Sequence, residues 1–205
     1  MSDYIVIQGQ KIELTQELVE EIQKKICPPE KQTPLAEIAE GETFKIGGYE
    51  FIVLEQTGDT TAVILKELYG GETKFGENNN FRGSAVDGIC EKFADELTKL
   101  IGSDALIEHE VDLTADDGLK DYGTVNRRVS LLTAQQYREH VYTLDKHKLD
   151  AWWWLATPFS TKAHGIEYAV KCVAPSGCIY DSNCNYGSSG VRPFCILKSN
   201  IFVSK

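Results

Sequence analysis

Asp181, Asn183 and Asn185 place oxygen-bearing side chains at alternate positions of one short run. This is how a calcium loop begins. Such a loop also needs Gly at its sixth position and a bidentate Glu at its twelfth. Here those positions hold Tyr186 and Arg192. Cys172, Cys178 and Cys184 lie close by, but no Cys-x-x-Cys occurs, and His164 is the one histidine near them in sequence. That pattern does not make a zinc site. No Ser-His-Asp order, phosphate-cradling Gly loop or catalytic pair of carboxylates stands out. We therefore expect no catalytic residue and no cofactor, with calcium on the Asp181 run and copper as lesser alternatives. The run has another chemistry, that of recognition. Tyr180, Asp181, Asn183, Asn185 and Tyr186 stand among Ser and Gly, and Tyr with small polar residues is the composition of a paratope. Residues 178–190 are thus the expected ligand-binding loop, for a protein or glycan ligand.

Two dense apolar stretches must hold that loop. All three tryptophans, Trp152, Trp153 and Trp154, fall in a row before Leu155-Ala156-Thr157-Pro158. Aromatic density beside a Pro reads as a short strand whose side chains alternate between faces. The second stretch, Val191-Arg192-Pro193-Phe194-Cys195-Ile196-Leu197, reads as its strand partner. Trp152, Trp153, Trp154, Arg192 and Pro193 are the expected structural core. An Arg in so apolar a strand requires acceptors for its guanidinium, which we expect to be backbone carbonyls near the Trp strand.

Upstream, Ile5 and Ile7, then Ile12 and Leu14, alternate across a Gln8-Gly9-Gln10 turn and predict a hairpin. Thr15 caps a helix whose Leu18, Val19, Ile22 and Ile26 share one face, and Cys27-Pro28-Pro29 ends it. Residues 1–34 thus read as a β-β-α appendage and linker, with residues 4–26 as a possible homo-oligomer contact. Residues 35–205 read as the main domain. It opens with a three-strand meander turning at Gly47-Gly48. Residues 70–83 and 114–126 read as loops, and Tyr168 to Val173 and Gly177 to Tyr180 read as the last strands before Val191–Leu197. A helix starts at Ser84 with a Val86, Cys90, Phe93, Leu97, Leu100, Ile101 stripe, and a capping box follows at Thr133-Ala-Gln-Gln136. Meander plus isolated helices predicts an α+β class.

The formal charge of −10 argues against nucleic acid, which needs clustered Lys and Arg. Met1-Ser2-Asp3-Tyr4 has no basic start and no apolar run follows, so we expect neither a secretory signal nor a membrane span. The expected location is the cytoplasm, where most of the six cysteines stay reduced.

Trp153-Trp154-Leu155-Ala156-Thr157-Pro158, followed by Gly190-Val191-Arg192-Pro193, resembles a bacterial and phage domain of unknown function that reads W-W-L-R-S-P and then G-V-R-P. The resemblance spans residues 38–200. Ala156 departs from it, standing where Arg is usual. That domain is similar in turn to the C-type-lectin-like fold of formylglycine-generating enzymes and of retroelement-diversified variable proteins. The resemblance implies a C-type-lectin-like main domain, a non-enzymatic binding or display role, a phage origin and attachment to a virion. One alternative it implies is a formylglycine-type copper oxidase using Cys178 and Cys184, although the enzymes' cysteine pair lies further upstream of the Gly-x-Arg motif. Another is an intracellular phage effector bound to a host protein. Adenine-directed diversification excludes Lys, Glu, Gln, Met and Trp from a variable loop, and residues 178–190 contain none of these. An ordinary turn-rich loop lacks them too.

Overall fold

The computed structural model describes residues 4–7, 10–13, 15–16 and 32–205. The chain divides into two compact units, Met1–Gln32 and Thr33–Lys205. In the first, Tyr4–Ile7 pairs antiparallel with Gln10–Glu13, the hairpin that the alternation predicts. The helix face expected at Leu18, Val19, Ile22 and Ile26 lies outside the described residues, as do Cys27 and the Pro-rich linker.

The second unit is built on two sheets. The larger has eight strands. Its main path runs Val129–Ser130, Phe194–Lys198, Thr60–Leu65, Tyr49–Thr57, Thr43–Ile46, Phe202–Ser204 and Gln32–Pro34, and Leu106–Ile107 also pairs with Phe194–Lys198. The meander at its centre follows from the sequence. Ile46 pairs with Tyr49 across Gly47-Gly48, and Gly47 takes a φ of 57° that a residue with a Cβ resists. Tyr49–Thr57 buries four consecutive residues, Phe51 to Leu54, because both of its faces are covered. The smaller sheet has five strands, in the order Ile179–Asn183, Ala169–Val173, Trp153–Pro158, Ser189–Val191 and Tyr69–Thr73. A two-stranded ribbon joins His109–Asp112 to Thr124–Arg127.

Against these sheets stand three α-helices among the described residues: α1 (Ala85–Ile101), α2 (Ala134–Glu139) and α3 (Val141–Asp145). The α+β, C-type-lectin-like expectation is therefore corrected: the fold is β-rich, two sheets with short helices packed on them. The reason lies in strands that carry little signal. Tyr69–Thr73 contains Gly70 and Gly71, and Thr124–Arg127 sits in a polar stretch, so both read as loop. They become strands because a neighbouring edge completes their hydrogen bonds, a context that propensity does not contain.

The helices begin where their caps place them. Ser84 accepts a hydrogen bond from the Asp87 amide, and Thr133 and Gln136 close a full capping box. In α1, Val86, Cys90, Phe93 and Leu97 are buried, whereas Leu100, predicted to continue the stripe, is half exposed. Two apolar clusters result. One gathers Trp154, Phe75, Phe81 and the α1 stripe, and the other Trp153, Tyr137, Leu132, Leu144 and Phe194. Adjacent tryptophans feed opposite cores, as strand alternation requires.

The single Val191–Leu197 strand expected from sequence is corrected as well. It breaks at Arg192-Pro193 into Ser189–Val191, in the five-stranded sheet, and Phe194–Lys198, in the eight-stranded one. Pro193 has no N–H for a ladder, and its carbonyl instead accepts from the Leu65 amide at 2.8 Å. The motif that pointed to a strand is the crossover between sheets.

Candidate recognition surface on the five-stranded sheet

Trp153–Pro158 is the central strand of the smaller sheet, and its order carries the predicted recognition residues to that sheet's rim. Trp154 pairs with Cys172, which in turn pairs with Tyr180. Tyr180 therefore lies two strands from Trp154, on the outermost strand. Trp154 is fully buried, with its indole Nε1 donating to the Thr73 carbonyl at 2.9 Å. Trp153 is also buried.

Trp152 is not. It is 38% exposed, and the expectation that it belongs to the core is corrected. It precedes the strand, and its ring meets Tyr180 edge-on, with centroids 5.5 Å apart at 61°. Tyr180 is itself 51% exposed and Tyr186 61%. Two exposed aromatic rings thus form a corner at the end of a rigid strand.

The expected loop is shorter than residues 178–190. Tyr180, Asp181 and Asn183 belong to the Ile179–Asn183 strand, which pairs in register with Ala169–Val173. Asn185 and Tyr186 occupy the turn that follows. Asn183 builds that turn: its Oδ1 accepts from the Asn185 amide at 2.9 Å and its carbonyl from the Tyr186 amide at 3.0 Å. Of the three side chains read for calcium, Asp181, Asn183 and Asn185, Asn183 is thus the one whose oxygen also shapes the turn. Cys184 is buried beneath the turn. Its amide donates to Tyr168 and its carbonyl accepts from Phe75 and Gly76, which pins the turn to the sheet. Lys171 faces Asp181 in the register but ion-pairs with Asp116 at 3.1 Å instead.

Arg192 holds the two sheets together. It is 1% exposed, and its guanidinium donates to the carbonyls of Leu65 at 2.9 Å, Lys66 at 3.0 Å and His147 at 3.2 Å. It also lies 5.2 Å from the centre of the Trp153 ring. Burial lowers its pKa to about 10. The acceptors are backbone carbonyls as expected, but they come from the larger sheet and the α3 exit rather than from the Trp strand. Pro193 is buried beside it. Gly190 sits at the same junction, where a Cβ would displace the end of the Leu68 side chain.

Asn79 lies in a stretch that reads as loop, yet it is fully buried. Its Nδ2 reaches the carbonyls of Ser160, Ile166 and Ala169 at 2.8, 3.1 and 2.9 Å, and its Oδ1 accepts from Tyr122. It is a structural staple, one that composition alone does not reveal.

The tertiary structure also brings together a Ser, a His and an Asp that are dispersed in sequence. Ser160 donates to Asp117 at 2.5 Å, and His164 Nδ1 lies 3.3 Å from the same carboxylate oxygen. Nucleophilic activation needs the serine on one imidazole nitrogen and the acid on the other. Here one nitrogen meets both, the serine proton goes to the carboxylate, and Ser160 is buried. The cluster ties loops. Of the cysteines proposed for copper, Cys178 is exposed and Cys184 is buried, with its thiol pKa raised by burial; neither is in a disulfide. Among the described residues, no group of three His, Cys, Asp or Glu side chains is placed to hold a metal ion. No helix among them is long and apolar enough to cross a membrane.

Residues 105–199 match a family model described as Domain of unknown function (DUF6273). The matched segment contains the Trp strand, the Tyr180 edge and the Arg192 crossover. No curated protein and no solved structure matches the chain.

Proposed function

We propose that this protein is a non-enzymatic binding module that meets a protein or glycan partner through the rim carrying Trp152, Tyr180 and Tyr186. The observation that carries the reading is the contrast within the Trp triplet. Trp153 and Trp154 are buried in two cores, while Trp152 stays exposed against an exposed Tyr180. Leaving aromatic surface in water forgoes burial worth about 25 cal/mol per Å², and contact surfaces are enriched in Trp and Tyr. The rim is also rigid, because it stands on a paired strand and a turn anchored at Cys184. Such preorganisation reduces the ordering cost of binding. The phage resemblance extends the proposal to display on a particle.

The test is a Trp152→Ala, Tyr180→Ala, Tyr186→Ala variant assayed beside the parent on protein and glycan arrays. Each change is exposed and should alter stability by no more than about 1 kcal/mol. The variant is expected to melt as the parent does and to lose the parent's ligands. A variant that folds and keeps every ligand would sink the proposal. Particle display is checked by probing purified virions for the chain; particles lacking it would remove that extension.

A further inference from the structure

Among the described residues, the outermost strand of the five-stranded sheet, Ile179–Asn183, has one neighbour, Ala169–Val173. Two hydrogen bonds fix which of its backbone groups face inward. Ala174 N–H donates to Cys178 at 3.0 Å, and Cys184 N–H donates to Tyr168 at 2.7 Å. In an antiparallel ladder, alternate residues exchange bonds with the partner strand. Residues 178, 180, 182 and 184 therefore point their amides and carbonyls inward. Ile179, Asp181 and Asn183 point theirs outward, and of these the Asn183 carbonyl is taken by Tyr186. The amides and carbonyls of Ile179 and Asp181 form an unpaired template at the rim. Edge strands of this kind are ordinarily blunted by Lys, Pro or a bulge. This one has no Lys, Pro or bulge, its one charged residue is Asp181, and its register with Ala169–Val173 runs without a shift.

We infer that this edge accepts an extended, Lys- or Arg-bearing segment of another protein as an added strand. The inference rests on the binding reading above and names the partner's chemistry. Charge decides the occupant. Asp181 is exposed and makes no ion pair among the described residues, since Lys171 opposite it is committed to Asp116. The chain as a whole carries −10. A second copy is disfavoured for the same reason. The two-fold antiparallel registers that use these groups set Asp181 across from Asp181, or across from Ile179 with the two carboxylates on a diagonal. Like charges so placed repel. A basic segment instead sets a cation beside Asp181 on one face and another side chain against the Trp152–Tyr180 corner on the other, where Arg or Lys meets aromatic faces favourably. The added backbone bonds supply affinity, and the alternating side chains supply specificity.

The probe is a short, blocked, fluorescein-labelled peptide of alternating Lys and Thr, read by anisotropy against the full chain. Controls are a Glu/Thr peptide and a Lys/Thr peptide with alternate amides N-methylated. Asp181→Pro removes one outward N–H and leaves the inner ladder intact, and Asp181→Asn removes only the charge. The Lys/Thr peptide is expected to bind the parent, with affinity falling about tenfold on Asp181→Pro and on N-methylation, and severalfold on Asp181→Asn. Equal binding of the N-methylated peptide, or an Asp181→Pro variant that folds and binds as the parent does, would overturn strand addition. So would no binding by the parent, or a parent that sediments as a dimer and an Asp181→Pro variant that sediments as a monomer. If the array ligands depend on Trp152 and Tyr180 but not on Asp181, edge pairing fails and the binding reading stands. Ligands that depend on neither set defeat both.

Discussion

Arg192 is a charged side chain that the architecture is built around. Its charge is buried between the two sheets and is satisfied by three carbonyls and the Trp153 face. Arg192→Ala strands those carbonyls and opens a cavity. It should cost several kcal/mol, because each buried carbonyl left without its donor costs about 1–3 kcal/mol and the cavity adds to that, whereas exposed-rim changes cost far less. Lys should not restore it, because an ammonium lacks the planar fork that reaches carbonyls of separate segments. Urea unfolding of both variants checks this, and an Arg192→Ala midpoint equal to the parent's would contradict it. His109 supplies a second residue-level expectation. Its Nε2 lies 2.9 Å from Ser130 Oγ, its ring packs on Phe194, and burial lowers its pKa from 6.5 to about 4. Between those values the unfolded chain binds a proton that the folded chain refuses. The His109 contribution is therefore complete above about pH 6.5 and is lost as pH falls toward 4. Stability measured from pH 7 to 4.5 should fall by an amount on the order of 1–3 kcal/mol that His109→Gln abolishes. A variant with the parent's pH slope would assign the loss to carboxylates.

At the scale of elements, α1 is held at its N-terminus twice. Ser84 caps it, and Asp87 accepts from the Gly83 amide while holding Arg127 through paired bonds of 2.7 and 2.6 Å. Ser84→Ala should cost about 1 kcal/mol, the usual worth of an N-cap. Asp87→Ala should cost more, because Arg127 and the Gly83 amide lose a buried partner together. Thermal melts of the two variants rank them; an Asp87→Ala protein more stable than Ser84→Ala would show that the ion pair adds nothing. These starts were legible in sequence, since a cap and the residue three positions on are neighbours in the chain. The edge strand was legible only in part: Gly177 to Tyr180 reads as a strand, but Asp181 to Asn183 has turn composition and is strand because Ala169–Val173 lies alongside it.

At the scale of the whole molecule, the division between Met1–Gln32 and Thr33–Lys205 makes a prediction of its own. A chain beginning at Thr33 should melt cooperatively near the parent's temperature, because the two apolar clusters lie within the second unit. Calorimetry tests the folding, and sedimentation beside the parent tests whether the removed segment governs self-association. A molten truncated chain would place the boundary elsewhere.

What the sequence determined by itself was local. Helix starts, the Gly47-Gly48 turn, the opposite facing of Trp153 and Trp154, and the need of Arg192 for carbonyl acceptors all follow from a few adjacent residues and from strand geometry. What only the tertiary structure decided was pairing between distant segments. It turned Arg192-Pro193 into a crossover between sheets, carried the strand that ends at Tyr180 in sequence on through Asp181 to Asn183, left Trp152 at a rim, and made the fold β-rich. Each outcome depends on which strand lies alongside which. That choice is made by hydrogen bonds and burial among residues far apart in the chain, and no local pattern records it.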